Sequence, residues 1–307
     1  MKNYRSAFFI LKNLTMKGVK QDKMIISGSV QEVRELIGNW KKRGFSVGLV
    51  PTMGYLHPGH MSLIERARKE NDMVVVSIFV NPIQFGPNED LDKYPRDMAH
   101  DREVCEKAGA ELIFAPQPSE MYPSDNFAFV DIKELGDGLC GAKRPGHFRG
   151  VCTVVSKLFN IVLPNRAYFG EKDAQQLAII RRMVRDLNFG TEIVSCPIVR
   201  EPDGLAMSSR NLYLSPEERK AALSISRSLG EAKELMRKGE KDAVKIRDII
   251  TAGISAEPLA KIDYAEIVDS SDLRPVQRIE KPVLAAVAVY IGKTRLIDNF
   301  TFEGAAK

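Results

Sequence analysis

His57 and His60 stand three residues apart in the stretch "VPTMGYLHPGHMSLI" (50–64), and they are half of the four histidines in a 307-residue chain. The apolar run before them reads as a strand. Pro58 suits the first turn of a helix, where its missing N–H costs nothing, so both imidazoles fall on one side of that turn. A helix start presents unpaired N–H groups and the positive end of the helix dipole, which together attract phosphate. Gly59 lets a ring or a phosphate approach the backbone closely. Two imidazoles there can donate hydrogen bonds to phosphate oxygens whose charge grows as a P–O bond breaks. By itself H-x-G-H arises by chance about as readily as by function. The strand before it and the helix after it tip the balance.

Other stretches carry compatible chemistry. "MSSRN" (207–211) places Ser208, Ser209 and Arg210 in a polar segment. Arg210 can fork two N–H groups onto one anion, although alone the stretch reads better as a solvated linker. In "FGEKDAQQ" (169–176), Gly170 allows close approach, Lys172 offers a point charge, and Asp173 reads first as a helix cap and second as a ribose ligand. Asn81 and Gln84, in "FVNPIQFGPNEDL", are neutral polar groups suited to the hydroxyls and carboxylate of a small substrate. "KRPGHFRG" brings Arg144 and His147 to a position from which they would hold a carboxylate. The charge-rich 88–103 stretch reads as a solvated loop and helix face, without the Asp/Glu/His spacing of a metal cage.

These residues need a frame, and the pattern of the chain supplies one. Hydrophobic content of 44% and charged content of 28% are those of an ordinary globular protein. The length suits one large domain and one smaller one. Formal charge is only +5, spread along the chain, which suits anionic small molecules better than nucleic acid. Cys105, Cys140, Cys152 and Cys196 lie at least a dozen residues apart, so no C-x-x-C pair exists, and they read as reduced thiols of a cytoplasmic protein. No apolar run approaches the ~20 residues needed to span a bilayer. The patch "AFFIL" near the start is too short for a targeting segment and no small-residue cleavage site follows it. We therefore read 1–23 as an extension ahead of the folded part.

Ser29 and Glu32 form a capping-box pattern before a helix that Gly44 ends. Strand and helix patterns then alternate as far as "TEIVSCPIV" (191–199). This predicts an α/β fold, a Rossmann-like parallel sheet with helices on both faces over 24–198. Ligands bind such sheets outside the carboxyl ends of the strands, where His57 and His60 lie. From Val199 the grammar changes to a polar segment, two helices (216–238 and 243–256) and three strands with hairpin-length links. That predicts a smaller C-terminal α+β domain over 199–307 with antiparallel strands.

Five stretches, "PTMGYLHPGH", "SIFVNPIQFGPNEDLDKYPR", "RPGHFRGV", "YFGEKDAQQ" and "DGLAMSSRN", occur in this order. Together they resemble the ATP-dependent pantoate–β-alanine ligases, over about Met24 to Phe302. That family lies within the HIGH-motif nucleotidyltransferases. His57-Pro58-Gly59-His60 stands in the place of the HIGH motif, and Met207-Ser208-Ser209-Arg210 in the place of the downstream K-M-S-K-S loop. The leader lies outside the resemblance.

The resemblance implies condensation of pantoate with β-alanine through a pantoyl adenylate, with ATP as substrate, Mg2+ accompanying it, and AMP and pyrophosphate released. It implies an ATP site of Met53, Gly54, Tyr55, Leu56, His57, Pro58, Gly59 and His60, with Gly170, Glu171, Lys172, Asp173, Val199, Met207, Ser208, Ser209 and Arg210. His60, His57, Lys172 and Arg210 would carry the chemistry, with His60 described as the acid. Gln84 would touch pantoate and β-alanine and Gln176 pantoate, with Asn81 and Arg144 also in the pocket. Neutral glutamines suit a carboxylate that must stay nucleophilic. The metal's ligands are expected to be phosphates and water. A homodimer is implied by the resemblance alone; the scattered thiols point to the cytoplasm, and the polar hinge near Val199 ahead of the Arg210 loop predicts that the second domain moves as a lid.

Two other readings compete. A transferase moving a nucleotidyl group onto a phosphate shares the histidine corner but has no need of Gln84, Gln176 or Arg144. A non-catalytic RNA-binding module calls for a basic stripe with exposed aromatics, and 7% aromatic content with near-balanced charge argues against it.

Overall fold

A computed structural model of the chain describes residues 24–87 and 89–304, so the extension expected over 1–23 lies outside the described residues. The first body runs β1 (Ile25–Ser27), α1 (Val30–Lys42), β2 (Val47–Thr52), α2 (Pro58–Glu70), β3 (Met73–Ile78), α3 (Met98–Ala108) and β4 (Leu112–Phe114). It continues through the short helices α4 (Pro118–Met121) and α5 (Leu139–Lys143) to α6 (His147–Val162), β5 (Arg166–Gly170), α7 (Ala174–Asp186) and β6 (Glu192–Cys196). The second body comprises α8 (Pro216–Arg237), α9 (Ala243–Ser255), β7 (Ala260–Asp269), β8 (Val283–Ile291) and β9 (Thr294–Phe302).

The six strands of the first body pair in parallel in the order β1-β4-β3-β2-β5-β6. Side chains leave a strand alternately on its two faces, and the two cores follow that period. Leu49, Val75, Leu112, Phe114 and Phe169 join α1, α6 and α7 on one face. Val50, Val74, Val76, Ile113 and Tyr168 join α2 and α3 on the other. From β2 the chain builds outward through β3 and β4, then returns to place β5 on the opposite side of β2. The crevice between the carboxyl ends of β2 and β5 is therefore the topological switch point, where open α/β sheets take their ligands.

The second sheet is antiparallel, β7-β8-β9. Val283, Ala285, Val287 and Val289 of β8 face α8 and α9. Leu284 and Ala286, on the other face of the same strand, pack into the core of the first body. The second sheet is thus clamped between its own helices and its neighbour.

Three local readings need correction. β1 escaped the sequence pattern because three residues are too few to show a period. Ser29 does cap α1 through the N–H of Glu32, but the Glu32 carboxylate accepts from the Ser27 hydroxyl at 2.7 Å, so the expected reciprocal box is half made. The polar loop expected at "MSSRN" is a 3-10 turn over Ser209–Tyr213, with Ser208 accepting from the N–H of Arg210 at its start.

Candidate functional site

The chain leaves β2 through a tight corner. Thr52 donates its hydroxyl to the Ser77 carbonyl at 2.7 Å and accepts from the Gly54 N–H at 3.2 Å. Gly54 (φ +87°) and Tyr55 (φ +50°) both take the left-handed conformation, which a non-glycine residue adopts at a cost of about 1–2 kcal/mol. Two neighbours on α3 hold the peptide that follows. Asp101 accepts from the N–H groups of Tyr55 at 2.9 Å and Leu56 at 2.6 Å, and the His100 ring donates to the Leu56 carbonyl at 2.8 Å.

His57 then caps α2. Its Nδ1 accepts from the Gly59 N–H at 3.1 Å, while its own backbone N–H donates to Nδ1 of His60 at 3.3 Å. The two side chains thus form a reciprocal capping box. Both Nδ1 atoms act as acceptors, so each neutral ring carries its proton on Nε2. A Cβ on residue 59 would lie 2.9 Å from the His57 ring, which is the local reason for glycine there. The electrostatics agree with neutral rings. Burial, with Lys172 adding to it, pushes His57 down to about 4. Burial likewise holds His60 well below the ordinary imidazole value, with His57 and Lys172 acting in the same direction. Neutral rings with Nε2–H edges suit hydrogen-bond donation, one of the two roles that the sequence left open for His60.

Across the crevice, β5 ends at Gly170 and a 3-10 turn over Glu171–Asp173 leads into α7. Asn299 of β9 donates to the carbonyls of Glu171 (3.1 Å) and Lys172 (2.7 Å), so the second body holds this turn. Asp173 makes no side-chain cap on α7; its carboxylate lies 3.7 Å from the Lys172 ammonium.

An inner cavity of about 220 Å³ occupies the crevice. It is lined by Met53, His57, Gly59, His60, Asn81, Gln84, Gly170, Lys172, Asp173, Gln176, Val199, Met207, Ser208, Ser209 and Arg210. Apolar side chains of α6, among them Val154 and Leu158, close one wall. A wider cleft of about 570 Å³ adjoins it between the two bodies and shares Lys172, Asp173, Gln176, Ser208 and Arg210. Arg144 borders only this outer cleft. Gly54, Tyr55, Leu56, Pro58 and Glu171 line neither space: Leu56 is buried in the core, and the others shape the two turns.

The polar groups near Gln84 are tightly committed. Buried Asn81 donates to the Gln84 side chain (3.0 Å) and the Gly150 carbonyl (3.2 Å), and accepts from the Tyr122 hydroxyl (2.8 Å). His147 donates from Nδ1 to the Gln84 carbonyl at 2.9 Å, and its Nε2 accepts from Arg144 at 3.0 Å. Burial, with the Arg144 charge beside it, pushes His147 down to about 4. Arg144 forks onto Glu89 through two contacts of 2.6 Å, and Arg210 forks onto Asp90 at 3.0 and 2.9 Å. Both arginines were expected to hold a ligand's anion; here each holds a carboxylate of one loop. That loop lies in the charge-rich stretch read as merely solvated, and Asp101, only 1% exposed, lies in the same stretch.

Tyr94 is a further lining residue the motifs did not single out. Burial raises its phenol, and Arg210 sits 5.9 Å over its ring. Among the described residues no three His, Cys, Asp or Glu side chains converge to hold a metal.

Comparison with known proteins shows the family to which the chain belongs. The pantoate-beta-alanine ligase family model matches residues 25–301. The pantothenate synthetase of Clostridium acetobutylicum is 65% identical over 280 residues, covering 91% of this chain and all of that protein. The crystal structure of pantothenate synthetase from Thermus thermophilus superposes with a TM-score of 0.86 at 47% identity, covering 90% of this chain and 99% of the other. A pantoate-beta-alanine ligase from Francisella tularensis, complexed with beta-gamma ATP and beta-alanine, superposes with a TM-score of 0.74 at 36% identity, covering 91% and 97%.

Proposed function

The chain belongs to the pantoate–β-alanine ligase family, and from that premise we propose that it condenses pantoate with β-alanine through an acyl adenylate. In the first step the pantoate carboxylate attacks the α-phosphorus of ATP. A carboxyl O–P bond forms, and the bond to pyrophosphate breaks. In the second step the β-alanine amine attacks the acyl carbon, the amide forms, and AMP leaves.

The observation that carries this reading is the pair of neutral imidazoles at the switch point, opposite Lys172, in a cavity that also contains Gln84 and Gln176. Displacing pyrophosphate is chiefly a matter of alignment and charge neutralisation. Nε2–H donors from His57 and His60, the Lys172 ammonium and the Arg210 guanidinium supply the two kinds of group this needs. Arg210 reaches the triphosphate by exchanging Asp90 for phosphate oxygens. Gln84 and Gln176 orient the pantoate carboxylate without a salt bridge that would blunt its nucleophilicity, and the α6 wall takes its methyl groups. Asn81 acts by fixing Gln84, and Arg144 by fixing His147 behind it.

Among the described residues no carboxylate cluster forms a magnesium cage. In the outer cleft Glu89, Asp90 and Asp298 are engaged by arginines, and among the described residues Asp173 is the one carboxylate that borders both spaces. We assign the metal to phosphate oxygens and water, and no step above depends on it. Four buried free cysteines support a cytoplasmic setting, and no helix among the described residues is long and apolar enough to cross a membrane. The homodimer rests on the family resemblance, and a solution mass measurement tests it. We take the second body to be the lid, hinged near Val199.

A pyrophosphate-release assay separates this reading from a nucleotidyl transfer onto phosphate. AMP formation that requires both pantoate and β-alanine is expected. His60→Ala and Lys172→Ala should each slow adenylation by about two orders of magnitude, the scale of losing a donor aimed at developing charge. Near-normal single-turnover rates in both variants would overturn the site assignment.

A further inference from the structure

We propose that Asp101 is a positioning residue for the adenylation step, setting the aim of the His57 and His60 rings through the backbone of residues 55–57. The proposal rests on the two-step reading above and adds to it a residue that lines neither cavity.

Asp101 is 1% exposed, and among the described residues no lysine or arginine forms an ion pair with it. A buried carboxylate without a countercharge is unfavourable unless hydrogen bonds satisfy it. The donors are both backbone groups, the Tyr55 and Leu56 N–H, one to each oxygen. Those groups belong to the turn that opens with the left-handed pair Gly54 and Tyr55. A Cβ on Gly54 would fall 2.9 Å from Asp101 Oδ2, so the carboxylate is seated directly against the turn. His100, the preceding residue of α3, holds the other side of the same peptide through the Leu56 carbonyl.

The effect passes to the rings in two bonds. Leu56 is followed by His57, whose backbone N–H donates to Nδ1 of His60 and whose ring accepts from Gly59. The tautomer and orientation of both imidazoles therefore depend on where the 55–57 backbone sits, and Asp101 fixes that place. The role resembles the outer carboxylate that orients a catalytic or ligating histidine, exerted here on main chain instead of on the ring. Burial raises the Asp101 carboxyl while the two N–H groups oppose the rise, as expected of a carboxylate kept for this contact.

Asp101→Asn tests it. An amide offers one acceptor and turns a donor toward the second N–H. With wild-type protein as reference, adenylation is followed by single-turnover pyrophosphate release from ATP and pantoate. The transfer step is followed separately by supplying pantoyl adenylate and β-alanine. The expected result is a ten- to hundredfold loss in adenylation with transfer changed less than threefold. Asp97→Ala, which removes only the side-chain cap of α3, should lower thermal stability and leave both half-reactions near wild type. Asp101→Glu keeps the charge but presses the carboxylate into the 54–56 backbone, so it carries the same test if the amide variant does not fold. Equal losses in both half-reactions, or adenylation within twofold of wild type, overturn the proposal. Failure of the wild-type protein to form AMP from both substrates would instead overturn the reading on which it rests.

Discussion

Acid sensitivity offers a quantitative check on the neutral imidazoles. His57 and His147 are both pushed down to about 4, chiefly by burial, from the ordinary value near 6.5. The sign follows from linkage. Well above pH 6.5 neither native nor unfolded chain is protonated at these rings, so they contribute nothing. As pH falls from about 6.5 toward 4 the unfolded chain binds protons and the native one does not, so stability is lost; below about 4 the loss stops growing. Between about pH 7 and about pH 5.5 each ring costs about 1.3 kcal/mol, or roughly 2.5 kcal/mol for the pair, with His60 acting in the same direction. Despite its burial, Glu89 is held low by Arg144 and titrates beneath this window, whereas the raised Asp101 works in the opposite sense. A variant comparison cancels both.

His147→Asn keeps a donor near the position of Nδ1 and removes the titration. Equilibrium urea unfolding of parent and variant at the two pH values gives the difference of differences, expected to be about 1.3 kcal/mol in favour of the variant. Proton NMR of the ring resonances should show His57 and His147 titrating near 4 in the folded protein. A variant that loses as much stability as its parent over this interval, or rings that titrate near 6.5, would refute the reasoning.

Asp90→Asn should tighten ATP binding by about three- to tenfold, because the carboxylate that phosphate must displace from Arg210 is worth roughly 1 kcal/mol at its partial exposure; weaker binding in calorimetry would count against it. Gly150→Ala would place a Cβ 2.5 Å from the Ile83 carbonyl oxygen and 2.7 Å from Gln84 Cα. A loss of about 1–3 kcal/mol in stability and a raised KM for pantoate are expected, checked by thermal unfolding and steady-state kinetics. Solution scattering should show a more compact particle with nucleotide and pantoate present, as a closing lid requires; superimposable curves would rule that out.

The repeating strand–helix grammar and the change of pattern at Val199 could be read from period alone, because each element is long enough to show its buried face. β1, α4 and α5 could not: they span three to five residues, and β1 pairs with β4, far along the chain. The histidine corner, Lys172 and Gln84 stood out because glycine, proline and scarce residue types cluster at strand ends, whereas Gln176 came only from the family resemblance. What holds them was not. Glu89, Asp90 and Asp101 look like ordinary solvated acids in a charged run, and only tertiary folding shows that two bind arginines 55 and 120 residues away. The third binds backbone 45 and 46 residues back. The carboxylates that Arg144 and Arg210 hold were hidden for the same reason, since a sequence shows a guanidinium but not which anion sits beside it.

The mutual cap between the two histidines also bears on metal poisoning. Zinc and copper bind imidazole through a bare ring nitrogen, and side chains three apart at a helix start would ordinarily make a ready chelate. Here both bare nitrogens are already bonded to amide hydrogens of the main chain. A cation entering the cavity meets protonated edges, and binding the pair would require a change of tautomer that breaks both cap bonds. The bonds that aim the rings therefore also deny them to adventitious transition metals.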